Sequence, residues 1–290
     1  MRLFDRMVVA GVGLIGGSLG LAARQRSLVG EVVGYGRGEE NLATALARGA
    51  VDRYSRCAAE AARGADLLVV AVPVRSTRAV VAQLLPHAAA AVVVIDAGSV
   101  KGPVVEALEA LVSPPAAFVG CHPIAGTELS GAANAAADLF EGQLCVLTPT
   151  ARTDARALER VRSLWEGVGM RLESMAADDH DRLLALVSHL PHAVAYALIA
   201  AIEGERVGGR DPLAYSGGGL RDTTRIAASP AEMWRDIFLD NRSEALRAID
   251  RFAAALARLR DGVERGDAGA LDGDLGRARA ARSRLKERRS

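Results

Sequence analysis

Aromatic side chains are scarce in this sequence of 290 residues. They make up only 4% of it, although hydrophobic residues make up 50%. The length predicts about two domains and a sizeable core. That core must therefore be filled by alanine, valine and leucine rather than by stacked rings.

Cysteine is scarce as well, and the sequence contains only Cys57, Cys121 and Cys145. Their odd number and wide spacing do not suggest a disulfide framework and match no metal-binding pattern, so we expect no metal. The N-terminus lacks the order of basic, apolar and small residues found in a signal peptide. We therefore expect a cytoplasmic protein in a reducing compartment.

An excess of charge of one sign is also missing. The 36 Lys and Arg residues balance 35 Asp and Glu residues, for a net charge of +1. This balance gives no support for binding to nucleic acid or to an anionic membrane. No apolar run reaches the roughly 18 to 20 residues that span a bilayer. We therefore expect neither nucleic acid nor a membrane as a partner.

Glycine, in contrast, stands in an informative place near the N-terminus. Gly11, Gly13 and Gly16 form a G-x-G-x-x-G motif after an apolar run and before a helical pattern. In such motifs the first glycine allows a tight turn, the second lets a pyrophosphate approach, and the third permits close helix–strand packing. The helix N-terminus then presents free N–H groups to the phosphates. The cofactor-binding residues expected here are Gly11, Gly13, Leu14, Ile15 and Gly16.

The first half of the chain alternates short Val-rich runs with helical patterns. The predicted strands cover residues 7–10, 31–35, 66–72, 91–96, 117–121 and 143–147. This alternation predicts an α/β fold, with a Rossmann-type doubly wound parallel sheet in residues 1–150. Its dinucleotide would be NAD or NADP.

From residue 151 to 290, helical patterns dominate after one possible short strand at 171–174. The longest pattern predicts a helix over 230–260. The run 193–202 is apolar almost all round, so it must be buried within this domain or against another subunit. We expect an all-helical second domain.

The second predicted strand ends at Gly36-Arg37, where NAD-specific folds place an acidic residue for the ribose. Arg37 can pair with a 2′-phosphate, which favours NADP. Alternatively, Arg37 stacks on the adenine and NAD is used, or Glu39 or Glu40 reaches the ribose. The choice between NAD and NADP stays open, with a lean towards NADP.

Two further loops follow predicted strands. Val72-Pro73 and Ser99 stand just beyond strand ends, where open α/β sheets bind ligands, so both loops should face the cofactor. Ser99 is equally suited to cap the following helix, and the two roles are compatible.

Four segments place polar residues in apolar or glycine-rich surroundings: 120–128, 188–192, 217–225 and 233–238. With these four segments in order behind the glycine motif, the chain resembles the prephenate dehydrogenase family, which includes arogenate and cyclohexadienyl dehydrogenases. The resemblance implies a helical domain, here residues 151–290, that binds substrate and forms a homodimer. It also implies oxidative decarboxylation of prephenate to 4-hydroxyphenylpyruvate, on the route to tyrosine.

His122, in its His-Pro-Ile-Ala-Gly context, matches the catalytic histidine of the family. The resemblance implies that His122 is the general base and that Ser99 hydrogen-bonds both the substrate hydroxyl and this histidine. An ordinary histidine pKa of about 6.5 suits such a base. We therefore expect kcat to rise through a pKa near 6 to 7. The alternative is a histidine that only holds a turn beside a proline.

The resemblance also implies a set of substrate-binding residues. Arg225 matches an arginine that holds a substrate carboxylate, a role suited to its planar fork. His192 matches a substrate-binding histidine, although it is also suited to a helix start, and Trp234 is equally suited to a core. His189 is ambiguous between a site role and a structural one. The full expected set is His192, Arg225, Gly218, Trp234, Glu128 and Ser188.

Three other functions compete with this one. Arogenate dehydrogenase would use the same site and give tyrosine directly. A β-hydroxy acid dehydrogenase would need a lysine base in the helical domain, but the two lysines, Lys101 and Lys286, are not placed for it. A non-catalytic NAD(P)-binding sensor would not need all four of His122, Ser99, His192 and Arg225. We expect a monofunctional enzyme, because little sequence follows the helical domain.

Overall fold

The computed structural model describes residues 2–126 and 129–285. The chain divides into two compact units, one ending at Arg242 and the other beginning at Ser243. The first unit contains two sheets and ten α-helices among the described residues.

A six-stranded parallel sheet forms the centre of the first unit, in the order β3-β2-β1-β4-β5-β6. This is the strand order of a dinucleotide-binding fold and confirms the predicted doubly wound sheet. All four residues of β4 and of β5 are buried, as expected for strands covered on both faces. The strands are β1 Phe4–Ala10, β2 Val29–Tyr35, β3 Arg53–Ser55, β4 Leu67–Val70, β5 Val93–Asp96 and β6 Ala117–Val119.

Helices cover both faces of this sheet. Met7 and Val9 of β1 belong to one core cluster, and the alternate residues Val8 and Ala10 belong to another. Because successive side chains of a strand point to opposite faces, the two clusters are the two layers of a doubly wound domain. The helices are α1 Leu14–Gln25, α2 Glu39–Ala47, α3 Ala58–Ala62, α4 Thr77–Leu84 and α5 Gly102–Glu109.

A second, three-stranded sheet contains β7 Cys121–Ile124, β8 Leu144–Leu147 and β9 Arg171–Ser174. β8 pairs antiparallel with β7 and parallel with β9. The single strand predicted over 117–121 is divided in the structure, since β6 ends at Val119 and β7 begins at Cys121. The cause is Gly120, where a Cβ would stand 2.3 Å from the Thr148 hydroxyl oxygen. The close approach of β8 at this glycine directs the chain into the second sheet.

Helices dominate the rest of the first unit, as predicted. Asp154 caps α6 by accepting a hydrogen bond from the Ala157 amide at 2.8 Å, and α6 buries Trp165. The division at residue 150 stays a prediction. The helices are α6 Ala155–Gly167, α7 Ala177–Leu184, α8 Leu190–Ile202, α9 Gly218–Thr224 and α10 Ala231–Asp240.

A π-helical turn, Ala185–His189, joins α7 to α8 into one helical segment, Ala177–Ile202. By length and composition alone this segment could cross a membrane, since an 18-residue window has a mean hydropathy of 1.7. The expectation that no stretch meets this criterion is therefore wrong. Core helices of soluble proteins pass the same test, although only 22% of this window is buried within the described chain.

The helix predicted over 230–260 is interrupted. α10 ends at Asp240, and α11 Arg242–Arg265 begins two residues later. Asn241 between them is buried, and its amide donates a hydrogen bond to the Asp181 carbonyl at 2.8 Å. This tertiary contact, which no local pattern encodes, explains the break.

The second unit contains the greater part of α11 and all of α12 Ala268–Arg282. Asp267 caps α12 by accepting from the Ala270 amide at 2.9 Å. Leu271 packs close to Gly262, because a Cβ on Gly262 would stand 2.9 Å from the Leu271 side chain. The two helices thus form a hairpin closed by a small residue.

Candidate active site

The glycine turn, residues 11–16, joins β1 to α1 with little room for side chains. Gly11 has a φ of +88°, and a Cβ on it would stand 2.3 Å from the Ala71 carbonyl oxygen. A Cβ on Gly16 would stand 2.3 Å from the Gly11 carbonyl oxygen. A Cβ on Gly13, in contrast, would have no atom within 4 Å. Gly11 and Gly16 therefore serve the fold, and Gly13 leaves an open approach to the backbone.

The N-terminus of α1 fits a pyrophosphate. Its capping residue, Gly13, offers no side chain to the first-turn N–H groups, and the first turn has no acidic residue. Leu14 and Ile15, both half-buried, begin the helix at this opening. Uncapped N–H groups and the positive end of the helix dipole suit a bound phosphate.

The end of β2 carries the residues expected to choose between NAD and NADP. Arg37 is exposed in the loop between β2 and α2. Glu39 is engaged elsewhere, because it accepts a hydrogen bond from the Tyr54 hydroxyl at 2.6 Å and lies 3.9 Å from Arg56. Glu40 is exposed on the first turn of α2.

Val72 lies beside the glycine turn. A Cβ on Gly11 would stand 2.9 Å from the Val72 side chain, so the loop after β4 lies against the glycine turn. Pro73 follows it and is exposed.

A buried ion pair ties the end of β5 to the start of β7. The Lys101 ammonium, fully buried, contacts the Asp96 carboxylate and donates to the Cys121 carbonyl at 2.7 Å. Asp96 also accepts from the Cys121 amide at 3.0 Å and from the Gly98 amide at 2.9 Å. Ser99 is half-buried in the short loop between these anchors. The loop carrying Ser99 is thus fixed next to the strand carrying His122.

His122 is buried on β7, opposite Val146 of β8. Its Nδ1 lies 2.8 Å from Nε2 of His180. Burial, reinforced by His180, Lys101 and His189, holds the pKa of His122 well below its usual range. A histidine in this setting is neutral at neutral pH and able to accept a proton.

The loop after β7 reaches the glycine turn. A Cβ on Gly126 would stand 3.8 Å from Leu14 and 4.0 Å from Ile15. Since Leu14 and Ile15 begin α1, the segment that follows His122 packs on the proposed phosphate site.

Further histidines collect on the helical side. The His192 ring stacks on Trp234, with centroids 3.5 Å apart and an interplanar angle of 20°. Its Nδ1 donates to the Ser188 carbonyl at 3.0 Å. Burial lowers the pKa of His192, and the nearby Arg225 charge lowers it further against the opposing effect of the Ser188 bond.

His189 lies between these groups. Its Nδ1 is 3.2 Å from the Asn241 amide nitrogen, its ring meets Trp234 edge-on, and burial lowers its pKa to about 4. His122, His180, His189 and His192 together are called the histidine cluster below.

The predicted site residues thus fall in two adjoining places. Ser99 and His122 lie at the strand ends, whereas His192, Trp234 and Ser188 lie on the helical side near Arg225. Gly218 begins α9 with open space where a Cβ would be. Glu128 lies outside the described residues. The roles assigned to all these residues stay predictions.

Sequence reasoning missed four buried polar residues: Asp96, Lys101, His180 and Asp181. Lys101 is not a candidate base; it is buried and holds Asp96 and the Cys121 carbonyl together. A signal did exist for Asp96, a carboxylate that directly ends a buried Val-rich strand. His180 and Asp181 carried no comparable signal, because a His-Asp pair in a charged helix start is typical of a solvated face.

Comparison with known proteins identifies the family of this chain. Residues 19–174 match the family model described as prephenate dehydrogenase, nucleotide-binding domain, and residues 176–276 match the prephenate dehydrogenase dimerization domain. The chain is 37% identical over 287 residues to a cyclohexadienyl dehydrogenase from Zymomonas mobilis, covering 99% of this chain and 98% of that one. The chain belongs to the prephenate dehydrogenase family.

Solved structures of this family agree. Prephenate dehydrogenase from Aquifex aeolicus, in complex with hydroxyphenyl propionate and NAD⁺, superposes with a TM-score of 0.91 at 35% identity over 97% of this chain and 98% of that one. Arogenate dehydrogenase from Synechocystis gives 0.81 at 30% identity over 96% and 99%. The chain is accordingly a dehydrogenase with an NAD-binding domain and a dimerisation domain.

Proposed function

We propose that this chain oxidises prephenate to 4-hydroxyphenylpyruvate, with release of carbon dioxide and with NAD or NADP as cofactor. The observation that carries the proposal is the place of His122. It is a buried histidine with a lowered pKa, and the loop that follows it packs on the N-terminal turn of α1. Membership of the family and the likeness to the Aquifex enzyme support the same reaction.

The cofactor would be held by the glycine turn and the loops beside it. Gly13, Leu14 and Ile15 would face the pyrophosphate, Gly11 and Gly16 would keep the turn closely packed beside it, and Val72 and Pro73 would border it. When bound, the nicotinamide supplies a hydride acceptor.

His122 would act as the general base. It takes the proton of the ring hydroxyl of prephenate, so that the carbon bearing this hydroxyl can become a carbonyl carbon as it gives up hydride. The ring carboxylate then leaves as carbon dioxide and the ring becomes aromatic. Ser99, fixed next to this strand by Asp96 and Lys101, would hold the same hydroxyl. A positioned base contributes about 10²- to 10⁴-fold to rate.

Arg225 and His192 would bind the rest of the substrate. Arg225 carries the charge for a carboxylate, and its charge acts on His192, so the two side chains serve one pocket. Trp234 holds the His192 ring by stacking on it. Gly218 and Ser188 would line this pocket, and Glu128 would complete the polar shell.

We propose that NADP is preferred over NAD. Arg37 is exposed at the end of β2, and Glu39, the nearest candidate for the ribose hydroxyls, is engaged by Tyr54. An exposed guanidinium at this position suits a 2′-phosphate. The NAD⁺ bound by the Aquifex relative supports the opposite choice, so the assay below includes both cofactors.

We also propose a cytoplasmic homodimer that binds neither nucleic acid nor a membrane. The dimerisation-domain match supports the dimer, as do exposed apolar side chains on α7 and the π turn: Leu183, Leu186 and Val187. Sedimentation of the purified chain tests it, and the mass of one chain, 30.3 kDa, at micromolar concentration would contradict it.

The test is absorbance at 340 nm with purified protein, offering prephenate and arogenate each with NAD and NADP. We expect turnover with prephenate and a higher kcat/KM with NADP than with NAD. Arg37→Ala should lower the NADP value by about tenfold, the loss of one charge-assisted pair, and leave the NAD value unchanged.

Each other result of this assay would favour one of the alternative functions or the other cofactor. Turnover with arogenate alone would replace the substrate and keep the site, as the likeness to the Synechocystis enzyme allows. A preference for NAD would contradict the role given to Arg37. Cofactor binding without turnover in any pairing would indicate a sensor.

A further inference from the structure

Asp181 is held in one orientation by the start of α5. Its Oδ1 accepts from the Lys101 amide at 2.7 Å, and its Oδ2 accepts from the Gly102 amide at 2.8 Å. Both donors are backbone N–H groups, so the two carboxylate oxygens act as acceptors here. Asp181 thus caps α5 from α7, at the end of the loop that carries Ser99.

The orientation of Asp181 decides the proton on His180. The Nδ1 of His180 lies 2.7 Å from Oδ1 of Asp181. An ionised carboxylate only accepts, so Nδ1 of His180 must carry the hydrogen. In the tautomer that carries only this hydrogen, the other nitrogen, Nε2, bears a lone pair. His180 is fully buried, which excludes water as a competing partner.

The same logic extends to His122. Its Nδ1 lies 2.8 Å from Nε2 of His180, and a nitrogen that faces a lone pair must donate. A neutral His122 with hydrogen on Nδ1 has its lone pair on Nε2, which is the nitrogen left to accept a proton. Asp181, His180 and His122 therefore form a chain of two hydrogen bonds in which each acceptor fixes the next tautomer.

We propose that His180 and Asp181 are positioning residues, which hold His122 in the tautomer with Nδ1 protonated and Nε2 free to act as the base. This inference rests on the proposed function only for the use made of Nε2. When Nε2 takes a proton, Nδ1 keeps its hydrogen and the ring becomes a cation. The Asp181 carboxylate beyond His180 then opposes the repulsion from buried Lys101.

Two substitutions at His180 distinguish its role as a hydrogen-bond acceptor from its role in packing. In His180→Gln the amide oxygen can take the place of Nε2 and accept from His122, whereas His180→Leu fills similar space without an acceptor. We expect His180→Leu to lose about 10²-fold in kcat, with KM for prephenate and cofactor changed less than about threefold. His180→Gln should stay within about tenfold of the unmodified enzyme. Comparable losses in both variants, or none in His180→Leu, would overturn the proposal.

Asp181→Asn tests whether the Asp181 carboxylate fixes the tautomers of His180 and His122. Asparagine replaces one carboxylate oxygen with an NH₂ group, which cannot accept from the amides of Lys101 and Gly102 or from His180. When this NH₂ group faces His180, the His180 ring must take the opposite tautomer. We expect a kcat loss of about 10²-fold or more. The control is Asp179→Asn on the same helix, since exposed Asp179 pairs only with exposed Arg182 at 3.6 Å among described contacts. Its kcat should be unchanged, and a loss equal to that of Asp181→Asn would count against the proposal.

A second measurement needs neither folding of a variant nor turnover. Long-range ¹H–¹⁵N spectra of histidine-labelled protein report which ring nitrogen is protonated. We expect hydrogen on Nδ1 in both His122 and His180 of the unmodified protein at neutral pH. Hydrogen on Nε2 of His122 would overturn the inference. If prephenate is not turned over, the proposed function fails while this spectrum still decides the tautomer.

Discussion

The glycine turn and the histidine cluster, the two halves of the proposed site, are built from different parts of the chain. The glycine turn uses the backbone of residues 11–16, and it works because side chains are missing there. The histidine cluster uses side chains from β7, α7, the π turn and α8, and three of its members, His122, His180 and His189, are buried. A site built from backbone is local in sequence, whereas a site built from buried side chains needs the whole first unit.

The same difference governs their chemistry. Free N–H groups at a helix N-terminus bind phosphate with little dependence on pH. A buried imidazole, in contrast, is defined by its protonation state, because burial lowers the pKa of His122 and of His189. We therefore expect a substitution at Gly13 to act on cofactor binding and a substitution at His122 to act on rate.

The largest effect should come from the cluster. In His122→Asn the amide nitrogen can keep the hydrogen bond to His180, but no group remains to take the substrate proton. We expect kcat to fall by about 10²- to 10⁴-fold. KM for prephenate should change less than about threefold, because ground-state binding is kept. Steady-state kinetics at 340 nm measure both.

The control for this substitution is His87→Asn, since His87 is exposed and lies outside the cluster. It should leave kcat unchanged. An unchanged kcat in His122→Asn would remove this histidine from the chemistry.

A smaller effect, on binding, should come from the glycine turn. Gly13→Ala adds a Cβ with no neighbour within 4 Å, so the free energy of unfolding should stay the same while the KM for the cofactor rises by about tenfold. Gly11→Ala has to adopt a φ of +88° against the Ala71 carbonyl, which should cost about 1–3 kcal/mol of stability. Urea unfolding and cofactor KM measure the two effects separately.

The two variants separate cofactor binding from folding within the glycine turn. Gly13→Ala should change the KM for the cofactor, and Gly11→Ala should change the free energy of unfolding. If Gly13→Ala were as destabilising as Gly11→Ala and left the KM unchanged, the turn would serve the fold alone. The pyrophosphate site would then have to be sought elsewhere.

Much of the fold followed from the sequence for a local reason. The Val-rich runs that became β4 and β5 are buried on both faces, and burial of that kind leaves a continuous apolar signature. β3, with the sequence Arg-Tyr-Ser, has no such signature and exists because it pairs with β2. The split at Gly120 and the break at Asn241 likewise depend on contacts with distant residues, Thr148 and Asp181.

The site divides in the same way. The three glycines and His122 were predicted because their neighbours in sequence mark them. His180 and Asp181 were not, because their importance comes from α7 lying against α5 and β7, which no pattern within α7 encodes. The pH prediction changed for the same reason, since an ordinary pKa near 6.5 applies only to a histidine in water.

The pH dependence of kcat is the measurement that tests this account most directly. A base must be neutral to act, so kcat falls when acid protonates it. Because burial, His180, Lys101 and His189 all lower the pKa of His122, the acid limb should lie below 6.5, and kcat should be flat from pH 6.5 to 8. An acid limb with its midpoint at or above 6.5 would contradict the account, because it would mean a solvated base.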